Sequence, residues 1–479
     1  MGNFFKTLRG RKVAFIGAGV NHRELIPLFA KAGAVVTLCD AKTREALGET
    51  AAELEKLGVT LSLGEGYLDG LSGQQMILRT PGFEFFTPEL QAAGKAGALV
   101  TSEMELFFEH CPCPITGITG SDGKTTTTTL IAKMHEAAGR TVHLGGNLGR
   151  PLLPIVDTIS KTDLAVVELS SFQLISMKRS PGTALVTNIT PNHLDHHKDM
   201  QEYIDAKRNI LLHQGTDDLT VLGHANDLSR GLGVDVNGRI RWFSRLPPWS
   251  KPDGPPWDRA ATPGGNGKPA DGAFLTRDGM LCHIEDGVVS EIISQSEIKL
   301  PGLHNIENLL AAIATVWGTV PIGAIRAVAA SFTGVEHRLE PVRVLNGVRW
   351  INDSIATSPT RVMAGLRAFD GNMILLAGGY DKNLDYAPMV PLVLEKVKLL
   401  ILMAPTASKI EAAVRADPGF AASALEIRQV ENLDEAVRLA RRKAVAGDIV
   451  SLSPASAAFD AYPNFEHRGR HFKELVRAL

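Results

Sequence analysis

The sequence has few cysteines, and their spacing excludes two classes of protein. The 479 residues contain four, Cys39, Cys111, Cys113 and Cys282. One residue separates Cys111 from Cys113 and no second close pair occurs, so the spacing does not match a structural zinc site. Four cysteines in a chain of this length also exclude a disulfide-dense secreted scaffold, which favours a reducing compartment.

The sequence also lacks a large excess of charge of either sign, and it lacks long apolar runs. Lys and Arg total 50 against 52 Asp and Glu, a net charge of −2, so no basic field favours nucleic acid or an anionic membrane. No apolar run approaches the roughly 20 residues of a membrane span. Residues 1–12 are basic but lack an apolar segment, so no signal peptide is expected. We expect a cytoplasmic protein that binds neither nucleic acid nor membrane.

The length predicts several domains, and strand–helix alternation predicts their class. A chain of 479 residues exceeds one hydrophobic core. Short apolar strands alternate with helical patterns along the chain, which is typical of α/β domains with parallel sheets. We predict domains at 1–108, 109–334 and 335–479, with a Pro/Gly-rich loop insertion at about 244–271 in the second.

The most informative stretch, residues 115–125 (ITGITGSDGKT), joins a strand to a helix through a glycine-rich turn. Such turns direct backbone N–H groups at a phosphate, Lys124 can reach the outer phosphates, and the Thr125 hydroxyl can bind Mg²⁺. Ile118 stands where the standard phosphate loop has glycine. A turn that only caps a helix is the alternative, but it gives no reason for Lys124 and Thr125, so nucleotide binding is favoured.

The first block has the outline of a dinucleotide-type βαβ unit. Gly17 and Gly19 follow an apolar strand, and Asp40 ends the next strand about 20 residues later. The third glycine of the fingerprint is missing, since His22 or Arg23 falls there. We expect a Rossmann-like unit for a nucleotide-bearing ligand; a plain α/β turn is the alternative.

Polar residues follow further predicted strands, as they do in α/β enzymes. Glu168 ends an apolar strand, where such enzymes place a metal-binding acid. Four side chains that could bind a metal crowd the next loop, with exposed surface as the alternative explanation; they are His193, Asp195, His196 and His197. Lys207 lies on the helix after that loop and, taken alone, would be an ordinary helix-face lysine.

Motifs along nearly the whole chain, outside the insertion, resemble those of the Mur ligase family and occur in the family's order. They are residues 119–125 (TGSDGKT), 168–174 (ELSSFQL), 188–195 (NITPNHLD), 206–207 (AK), 302–308 (GLHNIEN), 337–340 (HRLE), 352–354 (NDS), 453–456 (SPAS) and 464–469 (NFEHRG). The resemblance implies three domains: a Rossmann-like UDP-sugar domain, a central ATPase-like domain with a phosphate loop, and a Rossmann-like C-terminal domain that binds the amino acid.

The resemblance also implies the reaction. In the family a substrate carboxylate attacks the γ-phosphate of ATP, and the resulting acyl phosphate is attacked by an amino acid's amine. The motifs resemble most closely those of members that add D-glutamate to UDP-N-acetylmuramoyl-L-alanine. A sister ligase for another amino acid such as L-glutamate, and a protein that binds the nucleotide sugar without turnover, are the alternatives. A monomer is expected.

Site residues are implied by the same resemblance, with ATP and two Mg²⁺ as cofactors. The first metal is expected at Thr125 and Glu168 and the second at His193 and a carbamylated Lys207. The residues expected to serve ATP are Gly120, Ser121, Asp122, Gly123, Lys124, Thr125, Thr126, Asn305, Asn308, Arg338 and Asp353. Lys124, Glu168, His193, Lys207, Arg338 and Asp353 are expected to be catalytic. Without the resemblance, Arg338 and Asp353 would be a surface ion pair.

Two further groups of residues match substrate positions of the family. Those expected at the UDP-muramoyl substrate are Gly19, Val20, Asp40, Asn147, Ser170, Gln173 and His193, and those expected at the amino acid are Thr357, Lys382, Phe459 and Phe465. Ile355, Tyr380 and Ala458 depart from the family pattern, which puts the amino-acid pocket in more doubt than the ATP site.

Overall fold

The computed structural model describes residues 3–148, 151–192, 196–245, 271–300, 302–369, 372–381 and 384–479. These residues form two compact units, Met1–Phe332 with two sheets and Thr333–Leu479 with one. The α/β class is therefore confirmed. The division into three domains stays a prediction, and residues 246–270 of the predicted insertion lie outside the described residues.

The first sheet of the first unit is wholly parallel, with strand order β3-β2-β1-β4-β5. Its central strand, KVAFI, is buried from its second residue onward, as expected for a strand with helices on both faces. The elements of this block are α1 (Asn3–Lys6), β1 (Lys12–Ile16), α2 (Val20–Arg23), α3 (Leu25–Lys31), β2 (Val35–Asp40), α4 (Arg44–Leu47), α5 (Glu49–Lys56), β3 (Thr60–Leu63), β4 (Met76–Arg79), α6 (Pro88–Lys95), β5 (Leu99–Thr101) and α7 (Glu103–His110).

The second sheet has nine strands in the order β14-β13-β12-β11-β10-β9-β6-β8-β7. Strands β6 to β12 pair in parallel, and β12, β13 and β14 form an antiparallel edge. Its elements are β6 (Ile115–Thr119), α8 (Lys124–Ala137), β7 (Val142–Gly146), β8 (Leu164–Glu168), α9 (Ser171–Leu174), β9 (Thr183–Val186), α10 (Met200–Leu212), β10 (Leu219–Gly223), α11 (Asp227–Gly231), β11 (Arg239–Ser244), β12 (Gly272–Leu275), β13 (Met280–Glu285), β14 (Val288–Ser294), α12 (Leu303–Val316) and α13 (Ile322–Ser331).

The second unit has one six-stranded sheet in the order β15-β16-β20-β17-β18-β19, parallel except for the β15–β16 pair. Buried apolar clusters cover both faces of this sheet. Its elements are β15 (Glu340–Leu345), β16 (Val348–Asn352), α14 (Pro359–Arg367), β17 (Met373–Ala377), α15 (Val390–Lys396), β18 (Val397–Leu402), α16 (Ala407–Ala416), β19 (Glu426–Gln429), α17 (Leu433–Lys443), β20 (Ile449–Leu452) and α18 (Phe465–Ala478).

Capping residues determine where several helices begin. Side chains of Ser102, Asp199, Asn432 and Asn464 accept hydrogen bonds from backbone N–H groups in the first turns of α7, α10, α17 and α18. Such a cap contributes about 1 kcal/mol to helix stability. The longest helices, such as α8, have 14 residues. Within the described ranges, no helix has the length and apolar character needed to cross a membrane.

Candidate functional site

The glycine-rich loop between β6 and α8 requires glycine at two positions. Gly120 and Gly123 have φ values of +145° and +79°. A Cβ atom on Gly120 would lie 1.8 Å from Thr187 Oγ1, and one on Gly123 would lie 2.1 Å from Asn308 Oδ1. Because no side chain fits at either position, the backbone turns closely around the start of α8. Gly123 itself has no side chain with which to cap α8, and it stands at the positive end of the helix.

Asn188 holds the middle of this loop in place, although no role was predicted for it from the sequence. Its backbone oxygen accepts a hydrogen bond from Ser121 N at 2.8 Å, and its Oδ1 accepts one from Asp122 N at 3.0 Å. These two loop N–H groups are therefore engaged within the protein. The N–H groups that begin α8 are the ones positioned for an anion. The signal for Asn188 was its place at the start of the motif at residues 188–195, shortly after the end of β9.

Lys124 folds back over the loop that precedes it. Its Nζ donates hydrogen bonds to the backbone oxygens of Gly120, at 3.0 Å, and Ser121, at 2.9 Å. These contacts hold the ammonium group beside the loop, where a phosphate would lie. Thr126, another residue of the predicted ATP set, is half-buried in the first turn of α8.

Glu168 is buried at the carboxyl end of β8, with both carboxylate oxygens engaged. Thr125 Oγ1 donates to its Oε2 at 2.7 Å, and Asn147 Nδ2 donates to its Oε1 at 2.8 Å. The backbone N–H of Asn147 also donates to the Glu168 carbonyl at 2.9 Å. The hydroxyl of Thr125 and the carboxylate of Glu168 thus lie together, and oxygen ligands of this kind are those that Mg²⁺ prefers.

Lys207 is buried on α10, with only 1% of its surface exposed. Its Nζ donates to Gly120 O at 2.8 Å and to Thr119 Oγ1 at 3.4 Å, and lies 4.6 Å from the centroid of the Tyr203 ring. Burial, and then the nearby charge of Lys124, hold the pKa of Lys207 well below its usual value. Lys207 is therefore not a solvent-exposed lysine of the helix face.

A buried network joins the loop to α10. Ser121 Oγ lies 2.9 Å from the Tyr203 hydroxyl and donates to Thr190 O at 2.9 Å. His197 is the last residue of the predicted metal loop, and its ring forms hydrogen bonds with Ser171 Oγ at 2.9 Å and Glu202 Oε1 at 3.0 Å. His197 is thus a buried connector in this network and not exposed surface. His193, expected to bind the second metal, lies outside the described residues.

The remaining predicted residues of the first unit's ATP site gather at the start of α12. Asn308 Nδ2 donates to Asn305 Oδ1 at 3.0 Å, and Thr127 Oγ1 of α8 donates to Asn308 Oδ1 at 3.3 Å. Asn308 also lies against Gly123. The start of α12 is therefore next to the start of α8, although more than 170 residues separate them in the sequence.

Ser170 and Gln173, predicted to contact the muramoyl substrate, form a capping box at the start of α9. Ser170 Oγ accepts from Gln173 N at 3.2 Å, and Gln173 Oε1 accepts from Ser170 N at 2.9 Å. Their side chains therefore orient one another directly after the Glu168 strand end. A substrate contact by either residue stays a prediction.

In the first sheet, Asp40 supports the glycine loop after β1. Its Oδ2 accepts from Ala18 N at 2.8 Å and its Oδ1 from Lys42 N at 2.9 Å. Gly19 precedes α2 without a side-chain cap, and Val20 is the first residue of that helix. Asp40 thus organises the loop; contact with a uridine group stays a prediction.

His22, in place of the third fingerprint glycine, is fully buried. Its Nδ1 lies 2.8 Å from Gly17 O and its Nε2 has no hydrogen-bond partner among the described residues. Burial lowers the pKa of His22 to about 4. As the pH falls, the unfolded chain is therefore protonated at this histidine before the folded protein is. The stability contributed by the neutral ring is complete above about pH 6.5 and is lost as the pH falls towards 4.

Replacing His22 with asparagine is expected to flatten the decrease in stability between pH 6.5 and 4. Asparagine can donate to Gly17 O but does not titrate, so a loss of about 3 kcal/mol over this range would disappear. Urea unfolding at a series of pH values measures it. The control is His213→Asn, at an exposed histidine of the same unit. Equal pH dependence in wild type and His22→Asn would contradict the prediction.

In the second unit, Asp353 directly follows β16 and is 3% exposed, so the alternative of a surface ion pair with Arg338 is wrong. Its carboxylate accepts hydrogen bonds from Leu339 N at 3.1 Å and Ser453 Oγ at 3.2 Å. Burial raises the pKa of Asp353 to about 7, although these hydrogen bonds and then the charge of Arg338 oppose the rise. Asp353 thus joins the ends of β16 and β20 to the loop that carries Arg338.

A second group of polar residues in this unit contains two carboxylates that pair with a lysine of the same unit. Glu336, His337 and Glu340 offer ligand atoms within 4.8 Å of one another. Lys473 Nζ donates to Glu336 Oε1 at 2.6 Å and to Glu340 Oε1 at 3.0 Å. Because a lysine ammonium already pairs with both carboxylates, we assign no metal to this group.

The predicted amino-acid residues of this unit fall at two places. Phe465 begins α18, and its carbonyl accepts a hydrogen bond from Ser354 Oγ at 2.8 Å. Phe459 is 43% exposed and its ring centroid lies 6.0 Å from that of Tyr380. Thr357 is half-buried, and its backbone N–H donates to Ile355 O at 2.8 Å. Lys382 lies outside the described residues.

Arg468, which the sequence analysis did not single out, anchors the loops around these residues. It is 3% exposed, and its guanidinium donates to Ser354 Oγ at 3.1 Å, Ala457 O at 3.0 Å and Ser456 O at 3.1 Å. Arg468 therefore joins the ends of β16 and β20 to the start of α18. Its signal was its place in the motif at residues 464–469.

Two family domains match the chain. Residues 118–236 match the Mur ligase middle domain, and residues 337–456 match the Mur ligase glutamate ligase domain. Curated relatives similar along the whole chain are named UDP-N-acetylmuramoylalanine–D-glutamate ligase. That of Acetivibrio thermocellus is 45% identical, covering 100% of this chain and 99% of the relative, and that of Symbiobacterium thermophilum is 47% identical, covering 98% of each.

Solved structures of lower identity share the fold. UDP-N-acetylmuramate-alanine ligase MurC from Thermotoga maritima aligns over 98% of this chain and 99% of its own, with a TM-score of 0.51 and 17% identity. E. coli FolC in complex with DHPP and ADP aligns over 79% of this chain and 93% of its own, with a TM-score of 0.51 and 15% identity. At these identities the likeness concerns the fold alone.

Proposed function

The chain belongs to the Mur ligase family, and on that premise we propose that it joins D-glutamate to UDP-N-acetylmuramoyl-L-alanine using ATP. Full-length identity of 43–47% with relatives named for this reaction is the observation that carries the proposal. The grouping of Lys124, Thr125 and Glu168 around a glycine loop supports ATP use. The product serves peptidoglycan precursor synthesis.

The reaction needs a cation-rich place for two anions to meet. The carboxylate of the muramoyl-alanine substrate attacks the γ-phosphorus of ATP, ADP leaves, and an acyl phosphate remains. The amine of D-glutamate then attacks the acyl carbon and phosphate leaves. Lys124 would screen the repulsion between carboxylate and triphosphate, and the N–H groups at the start of α8 would bind phosphate oxygens.

A first Mg²⁺ fits the pair formed by Thr125 and Glu168. Their hydroxyl and carboxylate oxygens lie 2.7 Å apart, and Asn147 orients the carboxylate from its other side. When bound, the ion would neutralise charge on the β- and γ-phosphates. Orientation of a metal ligand by a hydrogen-bonded neighbour is common in metal sites, which supports a role for Asn147 behind Glu168.

We propose that Lys207 acts as a carbamate, as the family resemblance implies. Lys207 is 1% exposed, and within the described residues its hydrogen-bond partners are a carbonyl and a hydroxyl, with no carboxylate among them. An ammonium ion without a carboxylate partner is costly to bury, which favours the neutral amine that reacts with CO₂. The amine would add to CO₂ with loss of a proton, and the carbamate would help to hold a second Mg²⁺ with His193.

The second unit is proposed to supply the amino-acid site and part of the ATP site. Arg338 and Asp353 are assigned to ATP, and Thr357, Lys382, Phe459 and Phe465 to D-glutamate. Asp353 is held by Leu339 and Ser453, which supports a positioning role within its own unit. In the first unit, Asn305 and Asn308 are assigned to adenine, and the loop beside Asp40 to the uridine group.

We also propose a cellular location and an oligomeric state for the protein. UDP-linked muramoyl substrates and ATP are cytoplasmic metabolites, so we propose a cytoplasmic enzyme. The net charge of −2 gives no basic field for nucleic acid. We propose that it acts as a monomer on small-molecule substrates, with each site built from one chain.

The amino-acid specificity is tested by phosphate release from ATP with UDP-N-acetylmuramoyl-L-alanine and Mg²⁺ present. Release is expected to be at least about 100-fold faster with D-glutamate than with L-glutamate, since a buried polar site strongly rejects a substrate that leaves its groups unpaired. Faster release with another amino acid would reassign the specificity within the family. Absence of release with every amino acid would favour a binding protein without turnover.

A further inference from the structure

A cavity of about 830 Å³ lies at the end of the second sheet where its central parallel strands begin, which is the end opposite the glycine loop. Its size is within the roughly 300–1,000 Å³ of small-molecule sites. The first residues of five neighbouring strands line it, whereas the glycine loop follows the last residue of β6. These first residues are Ile115, Leu164, Thr183, Leu219 and Arg239.

Helix α8 connects this cavity with the ATP loop and shows that the two are separate. Lys124 begins the helix, and His135, in its last turn, lines the cavity. Eleven residues of helix correspond to about 17 Å at 1.5 Å per residue. A ligand of ordinary size in the cavity would therefore not contact the glycine loop.

The cavity carries an excess of positive charge. Arg140, Lys178, Arg179 and Arg239 line it, and none of the four forms an ion pair with another residue in the described parts of the chain. Glu285, the acidic residue of the lining, is paired at 2.7 Å with a further arginine, Arg241. Concave surfaces lined by positive charges concentrate anions.

A buried nitrogen in the wall is without a protein partner. His135 is 4% exposed, and its Nδ1 has no hydrogen-bond partner among the residues described. An unpaired buried polar atom is costly, and the cost is removed when a ligand meets it. Two threonines, Thr116 and Thr183, belong to the same wall. The wall thus combines cations with uncharged hydrogen-bonding groups.

We infer that this cavity is a second anion-binding site, separate from the ATP loop, for a phosphate-bearing small molecule. Arginine forks match phosphate oxygens well, and three of the four unpaired cations are arginines, which favours phosphate over a single carboxylate. Trp317, stacked on His283 with ring centroids 4.1 Å apart, and Phe108 add aromatic surface for an organic portion. A diphosphate group with an organic substituent fits this lining.

Inorganic pyrophosphate is the probe, titrated calorimetrically into the full-length Lys124→Ala protein to weaken binding at the ATP loop. We expect pyrophosphate still to bind. Adding Arg140→Gln and Arg179→Gln is expected to weaken binding at least about tenfold through loss of two charge-assisted contacts. The matched control adds Lys31→Gln and Lys56→Gln, which remove two exposed charges outside the cavity, and is expected to stay within about twofold.

A second measurement locates the ligand and does not depend on the folding of the charge variants. Cys111 lines the cavity and is the one cysteine of the four that is not buried. Pyrophosphate is expected to slow its alkylation by N-ethylmaleimide several-fold. Unchanged alkylation at saturating pyrophosphate, or equal affinity in the cavity variant and its control, would overturn the inference. Neither readout involves ligation, so failure here is distinguishable from failure of the proposed function.

Discussion

Replacing Lys124 with alanine is expected to lower D-glutamate-dependent phosphate release by about 10³-fold or more. Lys124 is held over the loop by Gly120 O and Ser121 O, at 3.0 and 2.9 Å, and is the proposed screen between substrate carboxylate and triphosphate. Removing a single donor to transition-state charge costs about 10²–10³ in rate, and a full positive charge at transferred phosphate is worth more. Initial rates at saturating substrates measure the effect.

The control for this prediction lies on the same helix. Lys133 is an exposed lysine of α8, nine residues after Lys124, so Lys133→Ala removes the same charge and side chain away from the loop. It is expected to retain activity within about twofold, as surface substitutions usually do. If Lys124→Ala and Lys133→Ala lost activity equally, the proposed role of Lys124 would be wrong.

Replacing Lys207 with methionine is expected to reduce activity by at least about 10²-fold while leaving the fold intact. Methionine has a similar length and suits the buried position beside Tyr203, but it cannot form a carbamate. If the carbamate supplies the missing anion, Lys207→Ala should be partly rescued by short-chain carboxylic acids, which place a carboxylate in the vacated space. Thermal unfolding of both variants distinguishes lost chemistry from lost folding.

The carbamate can also be observed directly, through the resonance of its carbonyl carbon. Wild-type protein equilibrated with ¹³C-labelled bicarbonate is expected to give a carbamate carbonyl resonance that Lys207→Met lacks. Gln201→Met, at an exposed position of the same helix, is the matched control and should keep both the resonance and the activity. Full activity in Lys207→Met would show that the carbamate is not needed.

The sequence alone predicted the residues that are proposed to carry the chemistry, and the elements on which they lie. The run from residue 115 to 125 predicted strand, turn and helix, and the structure has β6 followed by α8 beginning at Lys124. The same reasoning predicted that Glu168 ends a strand and that Asp40 ends another, as β8 and β2 show. These features are local, because glycine geometry, apolar patterning and strand ends depend on neighbouring residues in the chain.

Only the tertiary structure determined how those residues are held. Asn188 fixes the loop from 66 residues away, Glu168 is shared between Thr125 and Asn147, and Lys207 bonds Gly120 across 87 residues. These pairings depend on β6 lying between β8 and β9, and strand order is not encoded in any single motif. Burial of Lys207 and Asp353 likewise arises from the packing of the surrounding elements, which the local sequence does not determine.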